Sequence, residues 1–377
     1  MNALFIGLMS GTSLDGLDGV LADFSATGGI DRIRVIAHAK RDFPPTLREA
    51  FAALNQSGTD EIHRAALAAT ALARESAALV ETLCTSSSIA RDLIVAIGSH
   101  GQTVRHRPGE FDGVGYTVQL NAPALLAELS GIDVVADFRS RDVAAGGQGA
   151  PLVPAFHRAV FARPEATVAV LNLGGIANLT VLYRSGATVG FDCGPANTLL
   201  DLWSAHTSGR PFDTGGALAA TGTVDARLLE GLRAEPFFAL APPKSTGLDL
   251  FNAGWLDDRL AGADARTRLR PSDVQATLAE LTAQVVAEAC RQHARDAVEL
   301  IVCGGGAFNL DLMSRLERLL APMPVVVSSA RGLPADQVEA AAFAWLARAF
   351  VERRPGNVPR ATGAAGPRVL GALYPAR

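Results

Sequence analysis

Two apolar runs near the amino terminus are separated by a stretch of small and polar residues. Residues 4–6 are apolar, residues 7–18 read GLMSGTSLDGLD, and Val20 and Leu21 resume the apolar pattern. This pattern predicts a strand, a tight turn and a returning strand. Glycines let the backbone approach a ligand, and successive N–H groups in a turn bind anions. The turn is therefore a candidate phosphate site, with an ordinary hairpin turn as the alternative.

The same pattern occurs again in the second half of the chain. Residues 168–173 read VAVLNL and predict a strand, Gly174 and Gly175 form a turn, and residues 178–183 read NLTVLY and predict a returning strand. In both copies a later strand runs into a polar cluster that contains glycine. We therefore predict a duplicated α/β plan with a ligand cleft between the halves. The expected domains are residues 1–150 and residues 151–377.

Hydrophobic periodicity predicts the remaining elements. The expected helices cover residues 46–54, 60–84, 122–129, 152–162, 197–206 and 338–350. The expected strands cover residues 33–37, 93–97, 116–120, 133–137, 189–193 and 298–302. Residues 144–151 read AAGGQGAP, which predicts a flexible loop.

A third glycine site follows the strand at 298–302. Gly304, Gly305 and Gly306 lie between this strand and a helix through Leu319, where a flat or anionic ligand can approach a helix amino terminus. The sequence contains neither G-x-x-x-x-G-K-[ST] nor G-x-G-x-x-G. A Walker-type P-loop and the usual dinucleotide fingerprint are therefore excluded.

Composition narrows the classes of protein. Hydrophobic residues make up 49% of the 377 residues, charged residues 19%, and the net charge is −4. This composition is typical of a globular protein and argues against a nucleic-acid partner. No apolar run approaches the roughly 18 residues of a membrane span. The four cysteines show no C-x-x-C spacing, so we expect reduced thiols in a cytoplasmic protein without a membrane partner.

Several polar residues are candidates for chemistry. Asp192 ends the strand-like segment VGFD, where α/β enzymes place catalytic groups, although it would also serve as a turn cap. His100, Gln102 and Thr103 follow a buried strand and suit a sugar or a phosphate, with structural hydrogen bonding as the alternative. The alternating charges at 137–142 predict a surface ion-pair cluster. Glu339 begins an apolar helix, a position that the helix dipole favours anyway.

Eight stretches of the chain, in order, resemble the anhydro-N-acetylmuramic acid kinase family of the acetate and sugar kinase/Hsc70/actin superfamily. They cover residues 7–18, 98–108, 134–157, 172–178, 190–197, 244–247, 303–309 and 362–375. The chain departs from the family pattern at Ala196, where glycine is usual. It departs again at Leu248 and Asp249, where a basic–acidic pair is common.

The resemblance implies a duplicated actin-like, ribonuclease H-like kinase fold with an interdomain cleft, in which the carboxy-terminal end packs back on the first domain. It implies that 1,6-anhydro-N-acetylmuramic acid is opened by water and phosphorylated at O6 by MgATP. Asp192 matches the general base for the attacking water, and Glu339 matches a carboxylate of the sugar site. The implied partners are the sugar and a second copy of the chain in a homodimer.

Together, the motifs and the resemblance assign the ligand-binding residues. The expected ATP-binding residues are Gly11, Thr12, Ser13, Leu14, Asp15, Gly16, Leu17, Asp18, Gly174, Gly175, Asn178, Gly304, Gly305 and Gly306. The expected sugar-binding residues are His100, Gln102, Thr103, Asn197 and Glu339. Asp15 is expected to hold Mg²⁺ through water.

Two other functions remain open on the residues alone. The same architecture serves ATP-driven chaperones or scaffolds, whose partner is a polypeptide. It also serves ordinary sugar or carboxylic-acid kinases that have no hydrolytic step. The polar cluster at 100–106 favours a small sugar over a polypeptide.

Overall fold

A computed structural model of the chain describes residues 3–11, 14–26, 32–247 and 249–377. Thr12, Ser13 and Leu248, for which the sequence raised expectations, lie outside the described residues. The chain divides into two compact units. The first unit comprises Met1–Val160 together with Gln337–Arg377, and the second comprises Phe161–Asp336. The sequence placed the division at 150/151, whereas the compact units meet at 160/161 and at 336/337.

The strands and helices have the following bounds. The strands are β1 Leu4–Ser10, β2 Gly16–Ala26, β3 Arg32–Asp42, β4 Ile94–Ser99, β5 Gln102–Pro108, β6 Gly115–Leu120, β7 Val134–Ala136, β8 Thr167–Leu173, β9 Ile176–Leu182, β10 Thr188–Pro195, β11 Ala297–Cys303, β12 Val325–Val327 and β13 Ala372–Tyr374. The α-helices are α1 Pro45–Leu54, α2 Glu61–Ser87, α3 Pro123–Ser130, α4 Ser140–Val143, α5 Val153–Phe161, α6 Asn197–Ser208, α7 Ala217–Ala220, α8 Ala226–Arg233, α9 Ala253–Gly262, α10 Ala265–Arg268, α11 Pro271–His293, α12 Leu310–Leu320, α13 Val338–Val351 and α14 Pro359–Thr362.

The two units repeat one sheet plan. Among the described residues, the first unit contains a six-stranded sheet in the order β13-β7-β4-β1-β2-β3, and the second a five-stranded sheet in the order β10-β9-β8-β11-β12. In each sheet the first three strands of the unit form an antiparallel meander, and the next strand pairs in parallel with the first of them. The predicted duplication is confirmed, and the fold is the duplicated actin-like α/β fold.

Close backbone packing places α13 on the first sheet. A Cβ added at Gly7 would lie 1.9 Å from the carbonyl oxygen of Ala340, and one at Gly98 would lie 2.0 Å from that of Phe343. The two glycines therefore let α13 approach β1 and β4 more closely than any larger residue would allow. As a result, the amino-terminal turn of α13, which carries Glu339, is held close to the sheet.

The second unit is organised around α11. Strand β8 is buried along its whole length, and most residues of α11 are buried as well. The sequence analysis did not predict α11, or the helices between residues 217 and 262. In a helix that is apolar or neutral on nearly every side, the polar face that marks an amphipathic helix is missing.

One sequence expectation differs from the structure, and one segment without an expected element forms a strand. The cluster at 137–142 is not a surface ion-pair cluster, because Asp142 is fully buried. The polar segment that begins at Gln102 is a strand, β5, which pairs with β6. Among the described residues, none of the helices combines the length and apolarity needed to cross a membrane.

Candidate active site

The first hairpin turn is supported from beneath by Gln102. Strands β1 and β2 pair up to Ser10 and Leu17. The Ser10 hydroxyl donates to Gln102 Oε1, and Gln102 Nε2 donates to the carbonyl oxygen of Gly11 at 3.1 Å. Gln102 is fully buried. This residue, predicted to bind sugar, therefore holds the backbone of the turn that was predicted to bind phosphate.

The acidic residues of the turn have different surroundings. Asp15 is exposed, and its Oδ1 accepts a hydrogen bond from the Gly16 N–H at 3.0 Å. Asp18 lies 3.4 Å from His38 Nε2 and 3.3 Å from Lys40 Nζ. Asp15 is thus the carboxylate of this turn that faces solvent, whereas Asp18 takes part in charge pairing on the sheet.

A buried cationic cluster connects His100 with Glu339. His100 Nδ1 donates to the Ser10 carbonyl oxygen at 3.1 Å, and Arg139 donates from Nε and Nη2 to His100 Nε2 at 3.2 and 2.9 Å. Glu339 lies close enough to Arg139 to interact with its charge. The structure therefore brings together two residues that the sequence analysis assigned to the sugar, with Arg139 between them.

The electrostatics of this cluster keep His100 neutral. Burial, and then the charge of Arg139, lower the pKa of His100 to about 3. Burial also lowers the pKa of Arg139 to about 10, although Glu339 and Asp142 oppose this change. His100 therefore has one fixed tautomer, with Nδ1 protonated and Nε2 accepting. A neutral His100 is not a proton donor at neutral pH.

Thr103 lies apart from this cluster. It is partly exposed on β5, and its hydroxyl oxygen accepts a hydrogen bond from Gln119 Nε2 at 3.3 Å. Its immediate surroundings are the hairpin of β5 and β6.

The two glycine turns of the second unit meet at Asn197. The backbone N–H of Asn197 donates to the Gly174 carbonyl oxygen at 3.1 Å, and its side-chain Nδ2 donates to that of Leu173 at 3.0 Å. Its side chain also lies beside Gly305 and Gly306, where an added Cβ would come within 3.9 and 3.1 Å of it. The predicted nucleotide glycines of this unit therefore form one cluster around Asn197.

Backbone conformation explains glycine at position 304. Gly304 has a φ of +83°, and an added Cβ would lie 2.5 Å from Asn172 Oδ1. A side chain here would therefore meet both backbone strain and a steric clash. The turn after β11 needs glycine for its own geometry, whether or not a ligand binds.

Asp192 lies in β10, at the irregularity that precedes the last paired residues of the strand, and is held at both carboxylate oxygens. Asn178 on β9, its partner in the sheet register, donates from Nδ2 to Asp192 Oδ1 at 2.8 Å. The backbone N–H of Thr246 donates to Asp192 Oδ2 at 2.9 Å. The Asp192 N–H in turn donates to the carbonyl oxygen of Lys244 at 3.1 Å. The segment 244–247 therefore fixes this carboxylate from outside the sheet.

Burial changes the acidity of this carboxylate. It raises the pKa of Asp192 to about 6, although the hydrogen bonds from Asn178 and Thr246 and the charge of Lys244 act in the opposite direction. The Lys244 ammonium donates to the carbonyl oxygens of Phe237 and Phe238, each at 3.2 Å. A carboxylate with a pKa near 6 is ionised at neutral pH and still basic enough to accept a proton in a reaction.

Sequence reasoning missed part of this arrangement. It treated Asn178 as a nucleotide residue and gave no role to Thr246, yet both bind Asp192. The only signal in the sequence was the segment KSTG at 244–247, one of the eight stretches of the resemblance.

The residues at the first turn are compatible with Mg²⁺ that arrives with a nucleotide. Magnesium usually keeps several waters and takes one or two protein carboxylates together with substrate phosphates. Asp15 offers one such solvent-facing carboxylate. Within the described ranges no group of three or more His, Cys, Asp or Glu side chains is arranged to hold a metal ion. This donor set suits a metal held mainly by phosphate and water.

The chain was compared with known proteins. It matches the family described as anhydro-N-acetylmuramic acid kinase over residues 3–376. Proteins called anhydro-N-acetylmuramic acid kinase from Variovorax paradoxus and Bordetella petrii are 59% and 58% identical to it. The alignments cover 99% of this chain in both cases, and 99% and 96% of those proteins.

Similarity to solved structures is much weaker. The activator of the 2-hydroxyisocaproyl-CoA dehydratase from Clostridium difficile aligns with 93% of this chain and 96% of its own, with 12% identity and a TM-score of 0.47. The assignment of the chain to a family therefore rests on the full-length sequence matches. By these matches, the chain belongs to the anhydro-N-acetylmuramic acid kinase family.

Proposed function

We propose that this protein uses ATP to phosphorylate 1,6-anhydro-N-acetylmuramic acid while water opens the anhydro ring. The products are N-acetylmuramic acid 6-phosphate and ADP, and the reaction belongs to the recycling of cell-wall sugars. The observation that carries the proposal is Asp192, a carboxylate in β10 with a pKa raised to about 6. Membership of the family over residues 3–376 supports the choice of sugar.

The reaction needs a base for water and an acceptor for phosphate. Asp192 takes a proton from the water, and the water oxygen attacks C1 of the sugar. The C1–O6 bond breaks, O6 keeps the electron pair and bonds to the γ-phosphorus of ATP, and ADP leaves. Asp192 is ionised at neutral pH because its pKa lies below 7, so it is ready to accept that proton.

The glycine turns are proposed to bind the nucleotide. Glycine-rich turns such as 11–18 and the cluster of Gly174, Gly175 and Gly304–Gly306 offer backbone N–H groups, and such groups suit phosphate oxygens. Mg²⁺, when bound, would neutralise phosphate charge, with Asp15 holding it through water. Glu339 and Asn197 are proposed to contact the sugar, with His100, Gln102 and Thr103 near it.

The cellular context is a further proposal. All four cysteines are buried free thiols, which suits a reducing compartment and therefore the cytoplasm. We also propose that the protein forms a homodimer. Size-exclusion chromatography with light scattering tests this state directly, and a mass equal to one chain would contradict it.

The decisive experiment measures ADP formation by the purified protein with ATP and Mg²⁺, with and without the anhydro sugar. We expect ADP to form in proportion to the sugar, and the product mass to increase by both a water and a phosphoryl group. A product that gains a phosphoryl group alone would indicate an ordinary kinase. ATP turnover that ignores the sugar but responds to unfolded polypeptide would indicate a chaperone.

A further inference from the structure

Two buried oxygen atoms beside Asp192 have no hydrogen-bond partner among the described residues. They are Asn178 Oδ1 and Thr246 Oγ1. Asn178 is only 7% exposed, so its amide has little access to bulk water. A buried polar atom without a partner has an energetic cost, and it calls for an explanation such as an absent water or ligand. Both atoms belong to residues that bind the same carboxylate.

The orientation of the Asn178 amide follows from its contact with Asp192. Its Nδ2 lies 2.8 Å from Asp192 Oδ1 and donates to it. The reverse orientation would place two acceptor oxygens against each other. The amide oxygen lies about 2.3 Å from Nδ2 by covalent geometry, so it is within about 5 Å of the carboxylate. Asn178 Oδ1 is therefore an acceptor next to the base.

Thr246 lies at the other oxygen of the same carboxylate. Its backbone N–H contacts Asp192 Oδ2 at 2.9 Å, which brings its own side chain beside the carboxylate. A hydroxyl group both donates and accepts hydrogen bonds. Asp192 thus has an acceptor on one side and a donor–acceptor group on the other.

We propose that Asn178 Oδ1 and Thr246 Oγ1 hold the attacking water against Asp192. The proposal rests on the proposed function, because it assigns the place of the water in that reaction. One water hydrogen bonds to Asp192, the other to Asn178 Oδ1, and Thr246 donates its hydroxyl hydrogen to one lone pair of the water. Three polar partners are typical of a buried water. The remaining lone pair is left to attack C1.

The proton balance assigns different tasks to the three side chains. Asp192 gains the proton, the water oxygen bonds to C1, and O6 leaves C1 to take the phosphoryl group from ATP. Asn178 and Thr246 exchange no proton, and they act by orienting the water. The charged or titratable groups that interact with Asp192 are Lys244 and Cys193. The pH dependence of the rate should therefore follow the protonation of Asp192, whose pKa depends on the groups that donate hydrogen bonds to it.

The first test replaces the hydroxyl of Thr246 and keeps its shape. Thr246→Val preserves the backbone N–H that binds Asp192, and Thr246→Ser preserves the hydroxyl. We expect Thr246→Val to lower kcat roughly tenfold, as for one lost hydrogen bond. The KM for the sugar should not change. The acid limb of the pH–rate profile, where the rate falls as the pH is lowered, should not move either. Thr246→Ser should restore most of kcat. Thr207→Val, which removes a hydroxyl that donates to the Trp203 carbonyl oxygen within α6, is the matched control and should keep the wild-type rate.

The second test separates the two roles of Asn178. Asn178→Ala removes both the acceptor for water and the N–H that lowers the pKa of Asp192. We expect a lower kcat together with an acid limb that moves to higher pH. Thr246→Val should lower kcat without that movement, because its contact with Asp192 comes from the backbone.

The outcomes distinguish this inference from the proposed function. A wild-type kcat and KM in Thr246→Val would mean that the hydroxyl contacts nothing important in the reaction. A raised KM with unchanged kcat would mean that it contacts the sugar. Either result would overturn the inference and leave the proposed function intact. If the wild-type protein does not convert the anhydro sugar, the proposed function itself fails. A crystal structure adds a readout independent of turnover. We expect a water bonded to Asp192, Asn178 and Thr246 that is lost in Thr246→Val, and its absence from the wild-type protein would overturn the inference.

Discussion

Among single residues, Asp192 owes its chemistry to its surroundings. Burial raises its pKa to about 6, and a base must be ionised to accept a proton. The carboxylate is protonated below that pH, so kcat/KM should rise with pH through about 6 and then level off. Asp192→Asn keeps the shape and removes the proposed base, and kcat should fall by about 10²–10⁴-fold. Steady-state kinetics between about pH 5 and 8 measure both effects.

Binding serves as the control for that variant. Sugar affinity measured by calorimetry should stay close to that of the wild-type protein, because the side chain keeps its size. A rate near the wild-type value would exclude Asp192 as the base. An acid limb well away from pH 6 would instead mean that another group controls the reaction.

His100 is the residue most easily mistaken for the titrating group. Its ordinary pKa is 6.5, but burial and Arg139 lower it to about 3. We predict that His100→Asn leaves the acid limb of kcat/KM near pH 6, even where it lowers the rate. NMR titration of the His100 imidazole should likewise show no protonation between about pH 5 and 8. Protonation of His100 near its ordinary pKa would contradict this prediction.

At the scale of elements, the contact of α13 with β1 and β4 depends on two glycines. Gly7→Ala would place a methyl group 1.9 Å from a backbone carbonyl oxygen of the helix, which no rotamer change relieves. We expect the free energy of unfolding to fall by at least about 1–3 kcal/mol. Chemical denaturation followed by circular dichroism measures the change. Glu339 would also shift, so the affinity for the sugar should fall.

Gly231 offers a matched control for that substitution. It lies in α8, and an added Cβ would meet nothing within 4 Å among the residues that the structure describes. Gly231→Ala should therefore be neutral or stabilise the helix by roughly 0.5–1 kcal/mol. Equal losses of stability in Gly7→Ala and Gly231→Ala would show that the close approach of α13 does not matter.

At the scale of the whole molecule, Asp142 joins segments that are far apart in the chain. Its carboxylate accepts hydrogen bonds from the Gly149 N–H at 2.8 Å, Asn357 Nδ2 at 2.6 Å and Thr362 Oγ1 at 2.8 Å. The Gln148 N–H also donates to the Thr362 carbonyl oxygen at 2.7 Å. The loop at 144–151, expected to be flexible, is therefore hydrogen-bonded to the carboxy-terminal segment within the first unit.

Removing this carboxylate should loosen both segments. Asp142→Ala breaks three hydrogen bonds to a buried charge, and each is worth about 1.5–3 kcal/mol. We predict faster amide hydrogen exchange at 145–149 and 357–366, and a protein that unfolds at lower denaturant concentration. Protection at these residues equal to that of the wild-type protein would mean that other contacts hold the loop. Asp112→Ala, in an exposed turn, is the control.

The local pattern of apolar, polar and glycine residues determined the hairpins, the repeat and most strands of this protein. The two hairpins at 4–26 and 167–182 were predicted because alternating and apolar runs around glycine have few other structures available. The repeat, the positions of most strands along the chain and the place of Asp192 in the strand that the structure gives as β10 follow from the same periodicity. The family was identified from the order of eight short motifs. Each of these conclusions comes from patterns within short stretches and from the order of those stretches along the chain.

Only the tertiary structure decided which polar residues meet. Asp142 was expected at the surface and is buried, because its partners come from residues 357 and 362. Asn178 and Thr246 reach Asp192 from β9 and from the segment 244–247, which are distant in sequence. The burial of a side chain, its pKa and its hydrogen-bond partners depend on the residues that pack around it. Hydrophobic periodicity does not specify those residues. The sequence alone therefore determined the fold class and the candidate base, and the folded chain decided the environment of that carboxylate.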